Sequence, residues 1–314
     1  MKSDSKNVSF CGTPPDGVII IDKPADISSA AVVNRIKRLS GVRKAGHTGT
    51  LDPFATGVLI CPINRATRLA RFFLNDRKRY AATLRLGIET DTQDHTGSPV
   101  AVLPVGDIPA ETITRVVDGF VGQTEQLPPV YSALKHNGVP LYRYAREGRP
   151  VQKAARPVHI SSIIIRSIRL PDIDFEVECS SGTYIRTLCT DIGKALGCGG
   201  HLTALARLKS SGFAMDEAIS LARVEEKAAA DQLSDCVIPM TDALRGIATL
   251  RVNDELREKI GYGRQLTVLD IPMSDDMRDR PYIKLTDGEN RLLAVVHVPD
   301  NKIEYQYCCV FQSP

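Results

Sequence analysis

Between Gly46 and Pro53 the chain reads Gly-His-Thr-Gly-Thr-Leu-Asp-Pro, and Asp52 in that run offers a carboxylate able to do acid–base or nucleophilic chemistry. Two glycines permit backbone angles closed to other residues, and Pro53 keeps Asp52 out of helical conformation. A carboxylate on such a loop is held in a fixed direction and stays within reach of a substrate. An Asp-Pro pair by itself caps a turn more often than it catalyses, so its surroundings must decide. No metal site competes with it. The eight cysteines include no C-x-x-C pair and the six histidines form no H-E-x-x-H pattern, so the thiols are read as free and mostly buried.

The elements that must position this loop can be read from periodicity. Residues 18–21 form a β-branched strand that turns at Asp22, Lys23 and Pro24. Ser29 is read as the cap of a helix with Val32, Val33, Ile36 and Leu39 on one side and Gly41 past its end. After the loop come an apolar run over 58–63 and a helical stretch holding Leu69, Phe72 and Phe73. Tyr80, Ala82, Leu84 and Leu86 alternate with Ala81, Thr83 and Arg85, the pattern of a half-buried strand, and further strands are expected over 158–168 and 173–179. Ile185, Leu188, Cys189, Ile192 and Leu196 recur at helical spacing and stop at Gly197, which places Tyr184 and Arg186 on the first turn of a core-facing helix. Strands and helices alternate irregularly, with no Gly-x-Gly-x-x-Gly after the first strand. That predicts an α+β body, not a doubly wound nucleotide fold.

A chain of 314 residues with 43% hydrophobic content is long enough for two domains. The expected division is a polar N-terminal extension over 1–15, a large body over 16–240 and a small β-rich domain over 245–314. In the last of these, strands over 282–285 and 292–298 are joined by a turn at 286–289. No apolar run is long enough to cross a bilayer and residues 1–15 lack the apolar stretch of a secretory signal, so the expected location is the cytoplasm. The whole chain carries only +3, yet 35–79 holds eleven Lys or Arg against two acids, a local +9. Such a cluster is either a solvated face or a phosphate-binding surface.

Several separated segments, in order, resemble the TruB family of tRNA pseudouridine synthases. They are Asp22-Lys23-Pro24; the loop 46–53 with Ala55, Gly57, Val58 and Leu59; Lys78-Arg79-Tyr80; and Gly87 through Thr90-Asp91-Thr92 to Asp94 and Gly97. Gln126-Leu127-Pro128-Pro129, Tyr131 to Lys135, Tyr142 to Gly148, Cys179 to Arg186 and Gly199-Gly200-His201-Leu202 follow, so the resemblance spans 17–213. It implies the pseudouridine synthase fold, a mixed and mainly antiparallel sheet with flanking helices, followed by a PUA-like RNA-binding module.

The resemblance also implies a reaction: uracil leaves its sugar through N1, turns, and reattaches through C5, at position 55 in the T-loop of tRNA. No redox change occurs and no group is donated, so no metal or organic cofactor is required. Asp52 matches the family's essential Asp, and Arg186 matches the Arg that keeps a carboxylate charged in a dry pocket. Because a base within a folded arm must leave its stack, a flat side chain should receive it, and Tyr80 is the match. His47, Tyr184 and Leu205 are matched to the rest of the substrate pocket, with Lys23 and Pro24 as scaffold behind the loop. The expected partner is the T-arm of tRNA, bound by a monomer without an obligatory protein partner. Four departures stand out: Asn64-Arg65 stands where the family often has Gly followed by an acidic or basic residue, Arg68 replaces a Lys, Ser181 a Lys and Ala206 an Arg. The last two remove expected phosphate contacts. The competing readings are an RNA-binding or tRNA-folding factor with an idle site, and a guide-dependent relative that modifies ribosomal RNA.

Overall fold

The computed structural model describes residues 15–74, 76–271, 277, 280–298 and 303–312. Apart from Pro15, the expected N-terminal extension therefore lies outside the described residues. Seven strands carry the main sheet: β1 (Gly17–Lys23), β2 (Thr56–Ile63), β3 (Lys78–Leu86), β4 (Gly122–Gln126), β5 (Arg156–Arg169), β6 (Asp172–Cys179) and β7 (Gly200–Ser210). Their order is β1-β2-β7-β3-β6-β5-β4, and three short strands, Phe213–Ala214, Ile219–Ser220 and Ile238–Pro239, bring the sheet to ten. All pairs along the seven are antiparallel except β2 with β7. The mixed, mainly antiparallel α+β body expected from the sequence is what forms.

β3 alternates as its pattern requires, with Tyr80, Ala82, Leu84 and Leu86 buried and Ala81, Thr83 and Arg85 more exposed. The buried set packs against Ile185, Leu188 and Ile192 of helix α2 (Ile185–Ala195) and against Ile113 and Val117 of the helix Ala110–Asp118. Helix α1 (Ser29–Ser40) buries Val32, Val33 and Ile36 against Ile19 and Ile21 of β1 and Leu59 and Cys61 of β2. Gly41 ends α1 at φ 64°, in the left-handed region where glycine carries no steric penalty. The cap differs from expectation by one residue. Ser28 is the N-cap, its hydroxyl accepting from Ala31 N at 3.1 Å, while Ser29 is buried inside the first turn. Two adjacent serines made the caps indistinguishable by type, and tertiary contacts to the Asp52 loop claimed the second.

The C-terminal region is β-rich as expected. Its five strands run in the order Ala248–Arg251, Tyr282–Thr286, Leu292–His297, Glu304–Val310, Leu266–Thr267. It is not packed apart from the body: Leu292, Val295 and Phe311 share a core with Val18, Ile20, Val58 and Ile60 of β1 and β2. Burying those aliphatic side chains at about 1.5–3 kcal/mol each makes the junction a structural contact, not a tether.

Candidate active site

The Asp52 loop is fastened from three directions. Along β2, Gly46 N donates to Pro62 O and Thr48 N to Ile60 O, both at 3.0 Å. From α1, Ser29 Oγ donates to Leu51 O at 3.0 Å and accepts from Leu51 N at 2.9 Å. From the end of β1, the buried Lys23 Nζ donates to Pro24 O, Ile27 O and Pro53 O at 2.8, 2.7 and 2.9 Å. Lys23 thus clasps the turn at the exposed Pro24 and the residue after Asp52 at once, and its burial lowers the ammonium pKa to about 8. Of the two loop glycines, Gly49 takes a left-handed φ of 76° and Gly46 does not.

Arg186 enters from the first turn of α2. Its Nε lies 3.0 Å from Asp52 Oδ2, an ion-pair contact without hydrogen-bond alignment, and its Nη2 donates to Asp52 Oδ1 at 3.3 Å. Nη1 donates to Thr92 O and Nη2 to Tyr131 O, each at 2.9 Å. The guanidinium side chain is 5% exposed and the Asp52 side chain 33%, so the pair presents its carboxylate outward.

A second carboxylate, Asp94, approaches Arg186 Nη1 at 3.4 Å and is itself 5% exposed. It accepts from Thr92 Oγ1, Thr96 N and Thr96 Oγ1. One cation therefore serves two anions. Burial raises the Asp52 carboxyl pKa above the ordinary value; Arg186 and Lys23 oppose the rise, and the like charge of Asp94 adds to it. Asp52 is thereby a stronger base than a solvated carboxylate while still holding a cationic partner.

The remaining expected residues fall around this pair unevenly. Tyr80 is 8% exposed, with burial raising its phenol pKa and Arg207 and Asp52 acting on it electrostatically. Only a small fraction of its ring reaches solvent. His47 is half-buried with an unpartnered, buried Nδ1, and burial followed by the charge of Arg207 lowers its pKa. Tyr184 is the N-cap residue of α2. Its backbone is gripped by Gln126, with N donating to Oε1 at 2.9 Å, and the Arg156 guanidinium lies 4.8 Å from its ring centroid. Leu205 lines a cavity of about 550 Å³ together with Phe54, His95 and the small residues Ala81, Thr83, Ala204 and Ala206. Asp52 does not line that cavity. It abuts the site through Phe54 and His95, which flank the two carboxylate loops and meet edge-on with centroids 4.9 Å apart.

Sequence reasoning missed three residues that organise this site. Asp94 sat within a matched motif but drew no role, although an acid between threonines that can saturate it was a usable signal. Ser29 was given to the helix cap. Arg207, a charge at a buried position of β7, is 1% exposed and donates from Nε to Val58 O at 2.7 Å and from Nη2 to Gly49 O at 3.0 Å. Among the described residues no group of His, Cys, Asp and Glu side chains could hold a metal ion.

A mixed sheet of this order, with the Asp52 loop bridged to β2 and Arg186 at the start of α2, has counterparts among solved structures of pseudouridine synthases. A solved Cbf5–Nop10–Gar1 complex contains a chain that superposes with a TM-score of 0.75 at 26% identity, covering 98% of this chain and 86% of that one. Residues 37–185 match the profile of the TruB family pseudouridylate synthase N-terminal domain and 186–245 that of the tRNA pseudouridylate synthase B C-terminal domain. Proteins named tRNA pseudouridine synthase B are 42% identical in Syntrophotalea carbinolica, over 92% of this chain and 94% of that relative, and 45% identical in Geobacter sulfurreducens, over 79% and 82%. The chain belongs to the TruB family of pseudouridine synthases.

Proposed function

We propose that this protein isomerises uridine to pseudouridine at position 55 in the T-loop of tRNA, with Asp52 as the catalytic carboxylate. The observation that carries the reading is the Asp52–Arg186 pair, a buried cation holding a partly open carboxylate. In the reaction the N1–C1′ bond breaks, a C5–C1′ bond forms, N1 gains a proton and C5 loses one. Electrons and atoms balance without a cofactor. Asp52 supplies the negative oxygen that attacks the sugar or removes a proton, and Arg186 keeps that oxygen anionic against the cost of burial. The extruded uracil rests against the reachable edge of Tyr80, with His47, Tyr184 and Leu205 around it. His47, held neutral by its surroundings, has a free ring nitrogen to offer. The body over 16–240 would act as the catalytic domain and the module over 245–314 as an accessory RNA contact, in a cytoplasmic monomer.

Asp52→Asn is expected to abolish tritium release from 5-tritiated uridine in a tRNA transcript while leaving tRNA binding intact. Normal turnover by that variant would refute the assignment. A guide-dependent reading draws on the solved relative in a Cbf5–Nop10–Gar1 complex. The higher identity to relatives named for tRNA, 42% against 26%, favours the tRNA substrate. Turnover of a bare T-arm hairpin by the isolated chain decides between the two.

A further inference from the structure

Arg207 has the largest fully buried side chain in the described structure, and a buried guanidinium without a carboxylate is costly unless something else compensates it. No ion pair compensates it here among the described residues. Instead its donors are used by Val58 O of β2 and by Gly49 O of the Asp52 loop, and Tyr80 is its cross-strand partner on β3. One side chain on β7 thus ties the Asp52 loop to β2 and faces Tyr80 of β3. Two glycines are shaped by it. A Cβ on Gly49 would lie 3.2 Å from Arg207 Nη1, and a Cβ on Gly57 would lie 2.3 Å from Arg207 O.

A guanidinium has five N–H donors and no acceptor, so it can hold two carbonyls at once. Arg207 draws the Gly49 carbonyl, three residues before Asp52, and the Val58 carbonyl toward one cation, with Tyr80 opposite it on β3.

We infer that Arg207 is a positioning residue for the isomerisation, setting the Asp52 loop and the Tyr80 side chain in register with each other. The inference rests on the reading of function given above and deepens it. Arg207 touches no substrate; it acts through Gly49 and Tyr80.

The test is a double-mutant cycle on a tRNA transcript, with kcat and KM measured separately for the wild type, Arg207→Lys, Tyr80→Phe and the double variant, alongside thermal unfolding. A lysine keeps the charge but lacks the fork that reaches Val58 O and Gly49 O together. Arg207→Lys is expected to lower kcat by about tenfold or more, the equivalent of about 1.4 kcal/mol in the barrier, with KM nearly unchanged. In the Tyr80→Phe background the same substitution should cost markedly less, because the two side chains are direct cross-strand neighbours. A merely structural role would instead lower the unfolding temperature and leave the two kcat losses independent. Should Arg207→Lys fail to fold, the same cycle is run with Arg207→Gln, which keeps a donor for one of the two carbonyls but not for both. Unchanged kcat in a folded variant, or strict additivity with Tyr80→Phe, overturns the inference. A wild type that makes no pseudouridine counts against the proposed function itself.

Discussion

At the scale of single residues the site is a problem in sharing charge. Arg186 faces Asp52 and Asp94 together, and Asp94 is the better satisfied of the two because Thr92 and Thr96 donate to it. Asp52 is left with the raised pKa, burial being the main cause. A carboxyl whose pKa is raised holds its proton to a higher pH, so activity that needs the anion should fade on the acid side above the ordinary carboxylate value of about 3.9. Asp94→Asn removes a like charge and leaves Arg186 to Asp52 alone, and both effects favour the Asp52 anion. The acid limb of kcat/KM should therefore move to lower pH in that variant, while maximal activity falls because Thr92 and Thr96 lose an ionised acceptor. An acid limb that stays in place or moves upward would show that Asp94 does not act on Asp52. Asp52 and Arg186 were singled out in the sequence through motifs that resemble the TruB family, since an Asp-Pro pair alone caps a turn more often than it catalyses. Asp94 and Arg207 were not, since each gains its meaning only when the sheet brings a distant carbonyl or guanidinium to it.

At the scale of elements, the parallel junction of β2 with β7 does most to place the loop. Ala206 pairs with Thr56 and Arg207 with Gly57, and the close approach at Gly57 leaves no room for a side chain. Gly57 also has φ +100°, outside the range other residues adopt readily. Gly57→Ala must push β2 and β7 away from each other, since the clashing atoms are backbone; it should cost about 1–3 kcal/mol or more and lower the unfolding temperature. Gly46→Ala, with nothing within 4 Å of its would-be Cβ, should leave that temperature almost unchanged. Equal effects of the two substitutions would contradict this account of the junction. Alternation in β3 and helical spacing in α2 were readable because each buries one face against a single core. The cap of α1 was misplaced because Ser29 serves the Asp52 loop through Leu51, a contact invisible to local pattern.

At the scale of the whole molecule, the cations of the basic window over 35–79 have different work. Arg35 pairs with Glu225, Arg77 with Glu178 and Arg79 with Glu176, and the buried Lys78 donates to Leu74 O and Asp76 O. Arg65 donates to Phe311 O and Arg68 to Val310 O, at 2.7 and 2.6 Å, so these two hold the C-terminal sheet to the body, while the Arg71 guanidinium lies 5.3 Å from the Phe72 ring centroid. Lys37, Arg38, Arg43 and Lys44 remain, all exposed and without an ion pair or side-chain hydrogen bond among the described residues. They lie at the end of α1 and in the segment leading to His47, where a phosphodiester backbone approaching Asp52 would meet them. Each phosphate contact contributes about 0.7–0.9 to the slope of log affinity against log salt. Replacing all four with Gln should therefore weaken T-arm binding and flatten that slope by up to about three units, with the unfolding temperature little changed. Replacing Arg65 and Arg68 with Gln should do the reverse, lowering the unfolding temperature and leaving the slope in place, because their donors are spent on backbone carbonyls. If instead the Arg65 and Arg68 substitutions flatten the slope and the other four do not, the RNA runs over the junction with the C-terminal sheet and the division drawn here is reversed.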